Sequence, residues 1–429
     1  MRRRVALSLR HVRALRSRVG LGKLQVPRET WCTHGTGRPG RMQPPSLIHA
    51  RTSWVVLAAA LSCSNAAPTR TIRSVTRPVA RVSTPVLVRA QTPPPSPAAA
   101  SRETLASSCA RSCALSADGA TVWCWAQVAA APSALQPTAL PNLTDARSLA
   151  CGANHCCALR VGGAVSCWGI PASARRPTAL STLTLPDGEA VVSLDGGGAR
   201  TCAALRSGRV ACWRLLDLGT SAFSPPQLVE GVEGARAVTV GGGHACALLR
   251  DGHVRCWGAN RDGQSGAERT AAGRDVRPTE VADLPLVVEL SSGDRHTCAR
   301  TESGEVWCWG SNANGQLGCG PFAGGPRPQR VIDLTGVETI AAGRAHACAV
   351  LPGGAVACWG DNRTHAVGAI DPRTAPVPVA IPGVAGATRV SAACESSCAR
   401  RGDGTVVCWG GRYRERGAPP GRPVPVALR

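Results

Sequence analysis

Between residues 113 and 410 the apolar positions fall into seven short blocks that share one alternation. The fourth, HACALLRDGHVRCWG (244–258), alternates on both sides of Arg250-Asp251-Gly252, which is the signal of a β-hairpin. A two-residue loop at Asp251-Gly252 would set Cys256 opposite Ala247 and send Cys246 to the other face. A three-residue loop with Gly252 left-handed sets Leu248 opposite Val254 and Cys246 opposite Cys256, on one side of the ribbon. Only this register gathers the apolar residues, so it is the expected one. The other blocks are CALSADGATVWCW (113–125), CALRVGGAVSCWG (157–169), CAALRSGRVACW (202–213), CARTESGEVWCWG (298–310), CAVLPGGAVACWG (348–360) and CARRGDGTVVCWG (398–410). Their Cys-Trp steps lie 43, 45, 44, 52, 50 and 50 residues apart, so the chain is an array of similar units.

Two more short strands accompany each hairpin. RPTEVADL (277–284) and VVELSSG (287–293) precede the fifth, and RPQRVIDL (327–334) and VETIAAG (337–343) precede the sixth. Four short strands per unit predict an all-β, seven-bladed β-propeller over residues 103–429. The first copy, starting near Glu103, shows no P-x-x-V strand before it, whereas RPVPVALR (422–429) is a surplus strand of that type. The C-terminal strand is therefore expected to complete the first blade and close the ring, removing free edges.

The units resemble the repeats of the regulator of chromosome condensation superfamily. Three motifs carry the likeness: G-x-x-H-x-C-A-L, D-G-x-V-x-C-W-G and N-x-x-G-Q-x-G. The last stands at NRDGQSG (260–266) and NANGQLG (312–318), decays to NRTHAVG (362–368) and is missing after the first three hairpins. The resemblance covers roughly residues 103–429 and implies a seven-bladed propeller. The cysteine-rich form is similar to bacterial versions, and one lysine, Lys23, against 48 arginines is compatible with a high-GC genome.

Charge divides the chain sharply. The formal net charge is +22, but residues 1–102 carry 18 Lys/Arg against one acid, Glu29, and residues 103–429 carry 31 against 26. The propeller lacks the basic excess of a nucleic-acid binder, so no nucleic-acid partner is expected. Residues 67–102 have the Pro/Ser/Thr/Arg composition of an extended linker. Before them, Trp54–Leu61 is too short to span a bilayer but fits the apolar region of a signal peptide over 42–66, counted from Met42. Residues 1–41 then read as an over-extended basic start. Cleavage before Cys63 would leave a lipidated cysteine tethering the protein to a membrane, and cleavage near Ala66 would release it. Both remain open.

Fourteen of the 21 cysteines belong to the seven hairpins. Were cysteine only a small buried hydrophobe, single members would have drifted to Ala or Val. Every copy keeps both. Facing register and joint retention point to one disulfide per blade: Cys113–Cys124, Cys157–Cys167, Cys202–Cys212, Cys246–Cys256, Cys298–Cys308, Cys348–Cys358 and Cys398–Cys408. Such bonds suit an exported chain. The first pair encloses one residue more than the rest, which makes it the least secure. Cys109 and Cys394 each precede the first hairpin cysteine of their blade by four residues, and these blades become neighbours on closure. A Cys109–Cys394 staple is favoured over a zinc site of Cys109, Cys113, Cys394 and Cys398. Cys151, Cys156 and Cys319 receive no partner.

His155, His244, His296 and His346 share one repeat position, two before the first hairpin cysteine, and recur with the fold as structural residues do. The seven repeat tryptophans, Trp125 to Trp409, read as packing between blades. No Walker loop, H-E-x-x-H or G-x-S-x-G is present, and no catalytic residue, cofactor or metal is expected. The chain reads as a non-enzyme: an exported, disulfide-stabilised monomer at the cell envelope or beyond it, binding a protein partner or extracellular ligand. Residues 259–276 and 311–326 are the expected contact surfaces. One specific form would be an inhibitor of an extracellular enzyme, similar to secreted propeller inhibitors of β-lactamase. The alternative that the resemblance implies is an intracellular guanine-nucleotide exchange factor or chromatin regulator.

Overall fold

The computed structural model describes residues 104–428, apart from 110, 117, 127–136, 171–178, 218–219, 270–274, 322, 369–370, 372, 412 and 414–419. The basic start, the signal segment with Cys63 and the linker lie outside the described residues.

Seven antiparallel sheets, each continuous in sequence, form the blades: 105–139, 146–183, 191–228, 235–280, 287–330, 339–380 and 387–426. Six have four strands, and the third has five. The fourth blade shows the common order. Ala235–Val240 is innermost, the hairpin strands His244–Leu249 and Val254–Gly258 follow, and Val276–Glu280 is outermost. The inner strands end around a shared central cavity, lined at one equivalent position by Gly152, Gly197, Gly241, Gly293, Gly343 and Ala393. This is the seven-bladed propeller ring expected from the repeat.

The hairpin register is also the expected one: Cys246 opposes Cys256, Leu248 opposes Val254, and Gly252 is left-handed at φ 88°. The first hairpin keeps Cys113 opposite Cys124 and absorbs its extra residue in the turn, where Ser116 N–H donates to the Thr121 carbonyl (2.8 Å).

Alternation explains why Cys and Trp stand side by side. Adjacent strand residues point to opposite faces, so the cysteines of a hairpin face one neighbouring blade and its tryptophan faces the other. Cys246, Leu248, Val254 and Cys256 of blade 4 pack on Ala299 and Trp309 of blade 5, while Ala245, Ala247 and Trp257 pack back on Cys202 and Val210 of blade 3. The same contact joins Trp359 to Cys298 and Cys308, Trp409 to Cys348 and Cys358, and Trp168 to Cys113 and Cys124. Around the closing seam Trp125 meets Cys398 and Cys408.

Two expectations need correction. The P-x-x-V strand follows its hairpin rather than preceding it. Val276–Glu280 pairs with the second hairpin strand of blade 4, setting Thr279 opposite Cys256, and Gln329 likewise opposes Cys308. Proline explains the placement, because a residue without an N–H is tolerated at a sheet edge and not inside a ladder. Accordingly the C-terminal strand, Val424–Val426, pairs with Val406–Cys408 in its own seventh blade and does not complete the first. Blade 1 has its own outer strand, with Thr138 opposite Cys124. The C-terminal strand joins the closure through side chains instead: Val426 packs with Leu105, Ala114, Trp125 and Tyr413.

Candidate functional site

The turns between inner strand and hairpin ring the channel mouth, and G-x-x-H-x-C is their sequence. A Cβ on Gly241, Gly293 or Gly343 would overlap the ring of the histidine three residues on and the backbone carbonyl of the next blade. Glycine there lets two blades and an imidazole meet at one point.

The four repeat histidines are buried. Each reaches across to the next blade, to the residue just before that blade's first hairpin cysteine. His155 Nε2 bonds Thr201 Oγ1 (2.7 Å), His244 Nε2 bonds Thr297 Oγ1 (2.8 Å) and His346 Nε2 bonds Ser397 Oγ (2.9 Å). For His296 the equivalent position is Ala347, which has no hydroxyl, and both its ring nitrogens lack a partner among the described residues. Burial pushes His155, His244 and His346 down to about 4, and His296, also facing the charge of its two neighbours, down to about 3. All four are therefore neutral at neutral pH, and His155, His244 and His346 serve as blade-to-blade struts. Ala347→Ser should supply the missing hydroxyl and stabilise the protein by about 1 kcal/mol. The check is thermal melting, where a rise of about 2–4 °C is expected; no rise would mean that His296 is not held by this position.

N-x-x-G-Q-x-G builds a second strut. Asn260 Oδ1 accepts from Ser265 N–H (3.1 Å), and Gln264 Oε1 accepts from Asp262 N–H (2.9 Å), folding the loop onto itself. The Gln264 carbonyl then accepts the Trp309 indole N–H (3.0 Å) and the Thr297 hydroxyl (3.1 Å) of the next blade. Gln316 does the same for Trp359 (3.0 Å), and Ala366, in the decayed copy, for Trp409 (2.9 Å). The buried N–H groups of Trp168 and Trp213 follow connections without this loop and have no partner among the described residues. Asn260, Gln264, Ser265, Gln316 and Leu317 are buried. The first halves of 259–276 and 311–326 thus clamp blades together, which corrects the expectation of contact surfaces for those halves.

At the seam a side chain replaces the loop carbonyl. Tyr413, the single tyrosine of the chain, accepts the Trp125 indole N–H at its hydroxyl (3.0 Å) and lies 3.4 Å from Ser112 Oγ. It is fully buried, which pushes its phenol up to about 12. The Arg400 guanidinium donates to the Leu115 carbonyl across the same seam. Sequence reasoning gave Tyr413 no role. The signal for its role was its place in the connection where an Asn-Gln loop would stand.

All seven hairpin pairs bring their sulfurs to disulfide distance, with Cα separations of 4.0–4.1 Å. Cys109 meets Cys394 across the seam at a Cα separation of 4.8 Å. The four cysteines of the rival zinc arrangement are thus shared among three separate pairs. Cys151 meets Cys156 at 4.0 Å between Cα atoms, a pairing that the spacing alone did not disclose. Cys319 is buried among Leu317, Val331 and Trp359. The mouth also carries two ion pairs, Asp294 with Arg344 (3.6 Å) and Arg295 with Asp262 (3.6 Å). Half-buried Asp195 of blade 3 accepts from Val240 N–H (2.8 Å) and Thr239 Oγ1 (3.0 Å) of blade 4, and burial pushes its carboxyl up to about 6. No helix among the described residues is long and apolar enough to cross a membrane.

Seven sheets in a ring, joined by repeated glycine, histidine and tryptophan contacts, define a repeat propeller. Sequence models of the Regulator of chromosome condensation (RCC1) repeat match residues 146–172, 235–264, 287–316 and 337–365, and again 303–350. Over these segments the chain carries RCC1 repeats. The regulator of chromosome condensation of Mus musculus is 40% identical over 63 residues, and that of Homo sapiens 38% over 63. Each match spans 14% of this chain and 15% of the relative. The crystal structure of Prp20p from Saccharomyces cerevisiae superposes with a TM-score of 0.60 at 20% identity, covering 76% of this chain and 86% of that one. Human WBSCR16 gives 0.56 at 18%, covering 69% and 85%. At these identities the likeness is one of fold.

Proposed function

We propose that this chain is an exported, disulfide-stabilised propeller that acts, without catalysis, as a binding scaffold for a protein partner or extracellular ligand at the cell envelope. The observation that carries the reading is the set of nine cysteine pairs at disulfide distance within one ring. Bonds in such number belong to oxidising compartments. A signal-like segment at 42–66 supports the same compartment. The channel-mouth turns are the contact face, because two residues in each vary between blades while their neighbours repeat: Asn154, Gly243, Arg295, Arg344 and Glu395 occupy them.

The second reading is the intracellular exchange factor or chromatin regulator. Yeast RCC1 (Prp20) has been solved bound to Kap60, and Prp20p is described with binding properties to Gsp1p and histones. These partners favour protein binding by this chain as a general role. Two measurements separate the readings. Alkylation of unreduced, denatured protein from its native host should label few cysteines, and intact mass should place the mature start near Cys63 or Ala66. The protein should leave guanine-nucleotide release from a small GTPase unchanged. Mostly labelled cysteines on a chain that retains residues 1–66 would hand the lead to the intracellular reading.

A further inference from the structure

We propose that the Cys109–Cys394 pair is a thiol-exchange site at the channel mouth, where a small-molecule thiol or dithiol unlatches the propeller ring. The inference rests on the oxidised reading above.

Three observations converge. First, Cys109 is exposed and Cys394 half-buried, and both line the central cavity. Each of the other eight pairs has a fully buried member; of their cysteines only Cys212, on the short-edged third blade, is more than 8% exposed. Second, this is the pair that joins different blades, whereas the other eight lie within single blades. Its loop spans 285 residues against 5 to 11 for the rest. Third, among the described residues no backbone ladder joins blade 7 to blade 1, as none joins any two neighbouring blades. The seam rests on the packing of Trp125 and Val426 with their neighbours, on Tyr413 with Trp125, on Arg400 with the Leu115 and Ser116 carbonyls, and on this bond, the one covalent tie. Access and leverage thus coincide at one pair.

The chemistry is ordinary exchange. A thiolate attacks one sulfur, the Cys109–Cys394 bond breaks, and its electron pair leaves with the other cysteine, which takes a proton. A second thiol attacks the mixed disulfide and releases the first cysteine as a thiol. Two small thiols are oxidised to one disulfide, and the protein gains two thiols. The buried sulfurs of Cys113, Cys151 and Cys156, within 4.8 Å of one another at the neighbouring interface, are the internal comparison.

The test uses the full chain purified without reductant. Alkylation after denaturation first counts thiols; extensive labelling at this stage defeats the oxidised reading itself. Native protein is then exposed to graded glutathione, quenched with a second isotopic alkylating agent and mapped by mass, with hydrogen exchange measured in parallel. Cys109 and Cys394 should label at least tenfold faster than any other cysteine, with faster exchange in blades 1 and 7 and little change in blades 4 and 5. A C109S/C394S variant should show that raised exchange without any thiol. Equal or slower labelling of this pair overturns the site. Selective labelling with unchanged exchange, or a variant that exchanges like the parent, overturns the latch.

Discussion

Complete reduction is expected to abolish the cooperative thermal transition of this propeller near neutral pH. A bond closing a ten-residue loop removes unfolded-state entropy equivalent to roughly 2–3 kcal/mol, and one closing a loop of about 285 residues roughly 5–6 kcal/mol, as an upper estimate. Seven hairpin bonds and the seam together then exceed the ~5–15 kcal/mol by which an ordinary domain is stable. Packing makes the loss harder to absorb, since each hairpin pair forms the floor on which the next blade's tryptophan sits. Calorimetry on protein reduced in denaturant and returned to buffer with reductant checks this. A reduced protein melting within a few degrees of the oxidised one would show that hydrophobic contact between blades suffices.

Acid is expected to produce the second large effect. His155, His244 and His346 fall from an ordinary value near 6.5 to about 4, and His296 to about 3. The folded protein therefore binds fewer protons than the unfolded chain across that window. Their contribution is complete above pH 6.5 and is lost as the pH falls towards 4, and towards 3 for His296, on the order of 3–5 kcal/mol for each histidine. Asp195 acts in the opposite sense. Its carboxyl rises from 3.8 to about 6, so its contribution is full below pH 3.8 and lost as the pH rises through 6. One raised acid offsets about one histidine, which leaves the net effect strongly destabilising. Melting temperature should hold between pH 8 and 7 and drop steeply from pH 6 to 4.5. His296→Met, which removes a ring with two unpartnered nitrogens, should flatten that slope; a pH-independent melting temperature would remove the histidines as the cause.

Much of the fold was legible because strand alternation has a period of two. Given a turn at Asp251-Gly252, one loop length alone brings Cys246, Leu248, Val254 and Cys256 to a common face, and the ladder has that register. The count of blades followed from repetition. Phase was harder. An inner and an outer strand both occupy the stretch between hairpins, and hydrophobicity cannot say which hairpin each joins; the prolines of 278, 328 and 425 could have, since they require an edge. Thr138–Ala139 went unrecognised as the outer strand of blade 1, and that made the C-terminal strand look surplus. At the site, the recurrence of histidine and tryptophan disclosed structural roles, but their partners were hidden. Those partners are backbone carbonyls of Gln264, Gln316 and Ala366, which side-chain identity does not report, or a phenol from a residue with no repeat counterpart.

The opposed placement of cysteine and tryptophan on each hairpin gives every blade two unlike flanks, a donor side and a receiver side. Contacts of that head-to-tail kind are heterologous, and such a series grows open-ended unless its rotation happens to close. Three consecutive junctions, from blade 4 to blade 7, use nearly interchangeable loop clamps, so an internal blade there could be duplicated or excised and still find matching flanks. The junction bearing Tyr413, Arg400 and the Cys109–Cys394 pair has fittings that recur at no other junction among the described residues. It behaves as a keystone: it fixes where the array stops, and gains or losses of repeats in related chains should fall on the far side of the ring from it.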